Sequence, residues 1–331
     1  MRRTVWILMA GLFLTLRAVP VCADRAAAQM ILGIPETMAE VKESYMPPTP
    51  HRLQYVLIED VHDNSEAQGK IAAILLYAHH HWGSRRAFIE GAFGLIGPPP
   101  FPIFTAERGD LSVSELLQRG LVSGGELAAA LSSHGQKRSS FEVTGMDNRL
   151  MYLRQLEAYG EVAQLQAYAL KRLRRASRYL RSGEQARLRS LLQLRMTPAD
   201  YQAYLEGRRL IFSDPALTRA VRWAEEYYRM SDLRSQSFIE NARFRSSDGP
   251  SLLVMGGFHT SVIRRILRQR QESFIVLSPR LAQAGAPQRY RQCLEKNLET
   301  LHRFPTNSLY ASRVSFLRLT LAHKRHFEST N

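Results

Sequence analysis

Cysteine is almost missing. Cys22 and Cys293 are the only two in 331 residues, which excludes a disulfide-stapled scaffold and a Cys-based zinc ribbon. Lysine is scarce too, at 6 of the 45 basic residues, so the formal charge of +15 is carried by arginine. That skew reflects genome composition as readily as selection for an acidic partner, and charge alone does not mark a nucleic-acid binder. No apolar run comfortably spans a bilayer: the longest covers residues 4–16 and is closed by Arg17. Also missing are a GxSxG nucleophile elbow, a GxxxxGK[ST] phosphate loop, a GxGxxG fingerprint and an HExxH zinc helix. The standard α/β-hydrolase, P-loop and dinucleotide-binding readings therefore lack their chemistry.

What is present begins with a targeting signal. Arg2 and Arg3 precede the apolar run, and Val21-Cys22-Ala23 offers small residues before Asp24, so residues 1–23 read as a signal peptide cleaved near Ala23. Lipid anchoring at Cys22 is the weaker alternative, because Val21 stands where a smaller residue is expected. Cleavage removes Arg2, Arg3 and Arg17 and lowers the charge by three, to +12. The expectation is an exported, basic protein, periplasmic or secreted.

Residues 24–50, with the proline-rich stretch at 46–50, read as a leader onto the folded domain. Then LQYVLIED (53–60) is a continuous β-branched and apolar run, and EAQGKIAAILLYAHHHWG (66–83) has a helical pattern ending at a glycine. RAFIEGAFG (86–94) reads as a second strand and FEVTGMD (141–147) as a third, with two weak helices between them at 111–119 and 125–131. From 148 to 245 the spacing is helical throughout and reads as an insertion separable from the site, such that deleting about 150–245 spares chemistry at the sheet edge. SLLVMGG (251–257), a helix and SFIVLSPR (273–280) resume the strand–helix alternation, and 290–301 reads as a further helix. The predicted fold is α/β: a mainly parallel central sheet flanked by helices, formed by 51–147 and 246–331, with a long all-helical insertion.

Ligands of such sheets bind beyond the carboxyl ends of the strands. Here those ends carry Glu59, Asp60 and His62, then Glu90, then Asp147, then Gly256-Gly257 followed by His259. His62, Glu90 and His259 suit a divalent metal with an open position or metal-free acid/base work on a water, with Asp60 as a further catalytic group. Each has a plainer account. Asp60 and Glu59 can cap the following helix, Glu66 can complement its dipole, a loop histidine often satisfies a backbone group, and Gly256-Gly257 can simply make a turn. Glu90 is the sharpest candidate, since a carboxylate ending a buried strand is costly unless paired or bound. His79-His80-His81 point about 100° apart on a helix and cannot share one ion. The Arg-rich stretch from Lys171 to Arg195 reads as a solvated face, with contact to an anionic membrane second; few aromatics accompany it, which speaks against nucleic acid.

VLIEDVHDNSEAQ (56–68) resembles the opening motif of the superfamily joining ChaN-type haem-binding lipoproteins, erythromycin esterases and the Tiki/TraB proteins: a strand ending in Gly-Glu-x-His, then Asp and Glu. His62, Asp63 and Glu66 match; Asp60 stands at the usual Glu and Glu59 at the usual Gly. FIEGAFG (88–94) resembles the second motif through Glu90, and LLVMGGFHTSVIRRIL (252–267) the last through His259. The wording IxDxHxNxEAQ and GGFHT is similar to one bacterial branch of that superfamily. The resemblance implies an α/β fold with its site at the strand ends, and a function among metal-dependent proteases, a metal-independent esterase and haem binders. Three expectations follow: an exported hydrolase acting on a small-molecule or peptide substrate through His62, Glu90 and His259; a haem- or metal-binding envelope protein; or an inactive scaffold with a basic helical surface.

Overall fold

The computed structural model describes residues 32–48, 52–61, 64–96, 112–118, 122–133, 141–176, 180–207, 212–245 and 247–282. The proposed signal peptide, His62, both cysteines and the helix expected at 290–301 lie outside them. The strands are β1 (Ala39–Tyr45), β2 (Tyr55–Glu59), β3 (Arg86–Ile89), β4 (Phe93–Leu95), β5 (Glu142–Met146), β6 (Ser251–Met255) and β7 (Phe274–Pro279). The helices are α1 (Ser65–Trp82), α2 (Val113–Gln118), α3 (Gly124–Ser133), α4 (Arg149–Ala176), α5 (Ser182–Leu192), α6 (Pro198–Leu205), α7 (Pro215–Asn241) and α8 (Gly257–Gln269).

The strands form one sheet in the order β1-β7-β2-β6-β3-β5-β4. The five inner strands are parallel, and β1 and β4 are antiparallel edges on β7 and β5. The fold is thus α/β, as the alternation of strand and helix predicts. Inner strands with apolar side chains on both faces must be covered twice, and period-two alternation sorts them. Val56, Ile58, Ile89, Leu252 and Val254 pack with α1 and α3 on one face. Tyr55, Leu57, Phe88, Leu253 and Met255 pack with Phe238 and Ile239 of α7 and Ile263 and Leu267 of α8 on the other.

α1 shows how local chemistry sets a boundary. The Asn64 side chain accepts from the Ala67 N–H at 3.0 Å, and Gly83 at φ 66° closes the helix in the left-handed conformation. The three histidines fill its last turn and diverge. His79 Nδ1 lies 2.8 Å from the Ser84 carbonyl, whereas the His81 ring stacks on Tyr77.

Two expectations are corrected. Part of the supposed leader is β1, an edge strand whose alternate residues Ala39 and Val41 are buried. Its charged residues hid it, because an edge strand needs only one apolar face; Glu43 binds Arg264 and Arg268 of α8. The single strand expected at 86–94 is two, β3 and β4, with the chain reversing through Glu90, Gly91 and Ala92. Gly91 takes φ 76° in that reversal, and β5 meets it with Gly145, where a Cβ would lie 2.0 Å from the Ala92 carbonyl carbon.

The helical segment is not a detachable unit. The N-terminal half of α7 shares a core with α4, α5 and α6 through Leu217, Ala220, Val221, Ala224 and Tyr228. Its C-terminal half belongs to the sheet's core. α7 is one helix in two cores, so deleting 150–245 would take Phe238, Ile239 and Ala242 out of the sheet's core.

Gly145→Ala places a methyl group against three backbone atoms of Ala92 and Phe93 within 2.2 Å, none of which can rotate away. The expected loss is about 3 kcal/mol, the upper end of overpacking costs. It is to be read from urea unfolding beside Gly183→Ala, whose added Cβ meets nothing within 4 Å and which leaves the midpoint unchanged or slightly raised, alanine being the better helix former.

Candidate functional site

Glu90 follows Phe88 by two residues and so faces the α7/α8 side of the sheet. Its N–H continues the ladder by donating to the Val254 carbonyl at 3.0 Å, which sets the carboxyl end of β3 beside that of β6. There Gly256 caps α8, and its N–H donates to Glu90 Oε2 at 2.8 Å. A carboxylate at a helix N-terminus is favoured by the helix dipole. His259, two residues into α8, brings Nε2 to 3.2 Å from Glu90 Oε1. Asp147, beyond β5, accepts the Gly91 N–H at 2.7 Å, which the left-handed Gly91 makes possible.

The centre of this group is Arg234 of α7. Its Nε and Nη2 donate to the two Asp147 oxygens at 2.7 Å each, Nη2 also lies 3.3 Å from Glu90 Oε1, and Nη1 donates to Gln155 of α4. The side chains of Arg234, Asp147, Glu90 and His259 are at most 10% exposed. Burial by itself disfavours the Arg234 cation, but the adjacent Asp147 and Glu90 charges more than offset this and raise its pKa above the ordinary arginine value. The rings of Tyr152 and Phe238 flank the guanidinium at 5.0 and 5.3 Å. The His259 ring lies 4.8 Å from Phe238, and Ser235 Oγ is 2.8 Å from its Nδ1.

Four of the residues expected from the sequence therefore meet: Glu90, Asp147, Gly256 and His259. Others are engaged in the scaffold. Asp60 accepts from Gln68 Nε2 at 2.6 Å, and Gln68 in turn accepts from the Gly124 N–H at 2.7 Å, tying β2 and α1 to α3. Glu66 accepts the Ala282 N–H at 3.1 Å and pairs with Lys70 at 3.4 Å, holding the chain beyond β7 against α1. Glu59 ends β2 opposite Met255, and Gly257 opens α8. His62 lies outside the described residues. Sequence reasoning missed Arg234, Ser231, Ser235 and Gln155. A signal existed: counting back from Phe238 by 3, 4 and 7 gives Ser235, Arg234 and Ser231, so polar residues occupy the buried stripe of α7.

The described part of the expected metal set supplies two ligands, Glu90 and His259, with a guanidinium already beside Glu90. Both ring nitrogens of His259 face partners, Ser235 and Glu90, and a guanidinium stands beside Glu90 where a second cation would have to come. Among the described residues no group of three or more His, Cys, Asp or Glu side chains could hold a metal.

Away from the site, Lys171, Arg174, Arg175, Arg181, Arg187, Arg189 and Arg195 are exposed, while Arg172 pairs with Asp214. Among the described residues no helix is long and apolar enough to cross a membrane.

The fold and this cluster together define an α/β protein with a buried acid–histidine–arginine group at the carboxyl edge of its sheet. No family model, curated protein or solved structure matches the chain.

Arg234→Met leaves Asp147 buried beside an apolar group, and the expected cost is about 3–5 kcal/mol. Asp147→Asn in the same chain recovers part of that loss, so the two changes are non-additive in a double-mutant cycle measured by urea unfolding. Asp232, also on α7, has its pKa raised by burial, against the pull of Arg265 and His259. A carboxyl with a raised folded pKa destabilises the fold once ionised, so Asp232→Asn stabilises at neutral pH. The gain is under about 1 kcal/mol after solvent screening; it fades as pH falls through the raised folded pKa and is gone below 3.8, the ordinary value. Thermal midpoints at the two pH extremes check the sign.

Proposed function

We propose that the chain is an exported hydrolase that acts on an ester or amide, in a small molecule or a peptide, without a resident metal. The observation that carries this is the His259 Nε2–Glu90 Oε1 contact of 3.2 Å at the carboxyl edge of β3 and β6. A histidine and a carboxylate sharing one proton form a transfer pair for water attack on a carbonyl and departure of the leaving group. The N-terminus of α8 supplies positive potential for the oxyanion that develops, while Arg234 holds Asp147 and Glu90 in place. The likeness of the 88–94 and 252–267 segments to strand-end motifs of a superfamily that includes a metal-independent esterase supports the same reading. His62, three residues past β2, is the further candidate by that likeness.

The test is hydrolysis of p-nitrophenyl esters and chromogenic peptides by the mature chain before and after dialysis against EDTA. Turnover is expected to survive the chelator and to fall 10²–10⁴-fold in Glu90→Gln and His259→Asn, with near-UV circular dichroism retained. Undiminished turnover in both variants rules the proposal out.

The saturated hydrogen bonding of the cluster favours a second reading, in which it is a structural clasp and the exposed basic residues of α4 and α5 contact an anionic membrane. On that reading Lys171→Glu with Arg175→Glu and Arg187→Glu abolishes co-sedimentation with phosphatidylglycerol vesicles, and Glu90→Gln costs stability but no turnover.

A further inference from the structure

The loops that enter the sheet at its amino edge carry charge opposite in sign to the carboxylates of the other edge. In sheet order β7, β2, β6 and β3 are neighbours. The loop into β7 carries Arg270, that into β2 Arg52, that into β6 Arg243 and Arg245, and that into β3 Arg85, and all five are exposed. The groups they surround show them to be close together. The Asp248 carboxyl is held below its ordinary value first by the Ser247 hydroxyl and then by Arg86, Arg245 and Arg85. The Tyr55 hydroxyl at the foot of β2, raised mainly by burial, feels Glu272, Arg270 and Arg86 together. Arg52 sets its guanidinium 5.0 Å from the ring of Phe244, which stands between Arg243 and Arg245 in the chain.

The nearby carboxylates leave this edge positive. Asp248 is taken by Arg86, a further and buried arginine whose Nε lies 2.9 Å from Oδ2. Glu272 turns inward, with Oε2 buried and without a hydrogen-bond partner. Glu43 is held by Arg264 and Arg268, and Glu240 shares the α7–α8 cleft with two arginines, Arg265 and Arg270. Glu142 opens β5, one strand beyond Arg85. Four adjacent strands spread the five exposed arginines along roughly 15 Å. That row is too wide for one phosphate and suits repeated phosphates on a flat surface. The ring among them, Phe244, packs 6.3 Å from Tyr55 and offers no platform on which the bases of a nucleic acid could stack.

We propose that the amino edge of the sheet docks on the anionic headgroups of a lipid bilayer through Arg52, Arg85, Arg243, Arg245 and Arg270. Docked in this way, the chain turns its carboxyl edge, with Glu90 and His259, away from the bilayer, because the inner strands run from one edge to the other. The basic residues of α4 and α5 belong to the helical core around the N-terminal half of α7, whereas Phe244 lies past its C-terminal end. The two basic surfaces are therefore separable by mutation. Docking does not depend on whether the Glu90–His259 site hydrolyses anything.

The experiment is flotation of the full mature chain with phosphatidylcholine vesicles prepared with and without phosphatidylglycerol, at low salt. Binding is expected to the anionic vesicles alone and to weaken as salt is raised. Each arginine near an anionic surface strengthens partition about five-fold, so Arg85→Gln with Arg243→Gln and Arg245→Gln is expected to weaken it about 100-fold. Arg86 still answers Asp248 in that variant, and its thermal midpoint is expected to match the wild type. Lys171→Glu with Arg175→Glu and Arg187→Glu is expected to leave flotation unchanged, which separates this surface from that of α4 and α5. Flotation kept by the amino-edge variant, or lost only in the α4/α5 variant, overturns the proposal. So does equal binding to vesicles that lack phosphatidylglycerol. A wild type that ignores both vesicles but binds a single-stranded oligonucleotide through the same three arginines overturns it in favour of nucleic acid.

Discussion

A guanidinium cannot discharge when it is taken out of water, so a buried arginine obliges the rest of the molecule to come to it. Arg234 draws the ends of two strands and the start of a helix into one place. Asp147 meets it with both oxygens, Glu90 leans on it from β3, and Gln155 satisfies it from α4. This arrangement permits one rotation and one height of α7 over the sheet. With α7 so fixed, Phe238 and Ile239 seat on Leu57, Phe88 and Leu253, and Ser235 comes under the His259 ring. The apolar contacts supply most of the stabilisation, since each buried side chain of that size contributes roughly 1.5–3 kcal/mol. The ion pairs supply specificity of placement, because a helix rotated by one residue would strand two carboxylates.

On the proposed hydrolase reading, the same clasp governs the chemistry. A cluster that satisfies its own hydrogen bonds and excludes water holds its groups rigidly, which preorganised catalysis requires. The neighbours of His259 are set by the fold: Ser235 of α7 faces Nδ1 and Glu90, just beyond β3, faces Nε2. Among the described residues the guanidinium is the cation that lies beside Glu90.

Much of the scaffold was legible along the chain. Short apolar runs at Tyr55–Glu59, Ser251–Met255 and Phe274–Pro279, without polar alternation, read as strands buried on both faces, and the helices between them as crossovers of a parallel sheet. Glu90 stood out because a carboxylate ending such a run has to be answered by something. β1 was hidden because an edge strand shows only alternate apolar residues among charges, and the Glu90-Gly91-Ala92 reversal because its signal is a backbone angle. Arg234 went unmarked in the sequence, although its spacing from Phe238 puts it on the buried stripe of α7.

The sequence by itself determined the α/β class, the strand ends as the place for chemistry, and Glu90 and His259 as its candidates, because hydrophobic periodicity and the cost of burying charge are local properties. Only the tertiary structure decided that Arg234 and Ser235 belong with them, that Asp60 meets Gln68, and that Glu66 meets Ala282 and Lys70. Those partnerships join residues far apart along the chain, as Arg234 joins Asp147 and Glu90. No local pattern encodes which distant carboxylate a helix will meet; that is settled when α7 is packed on both cores at once.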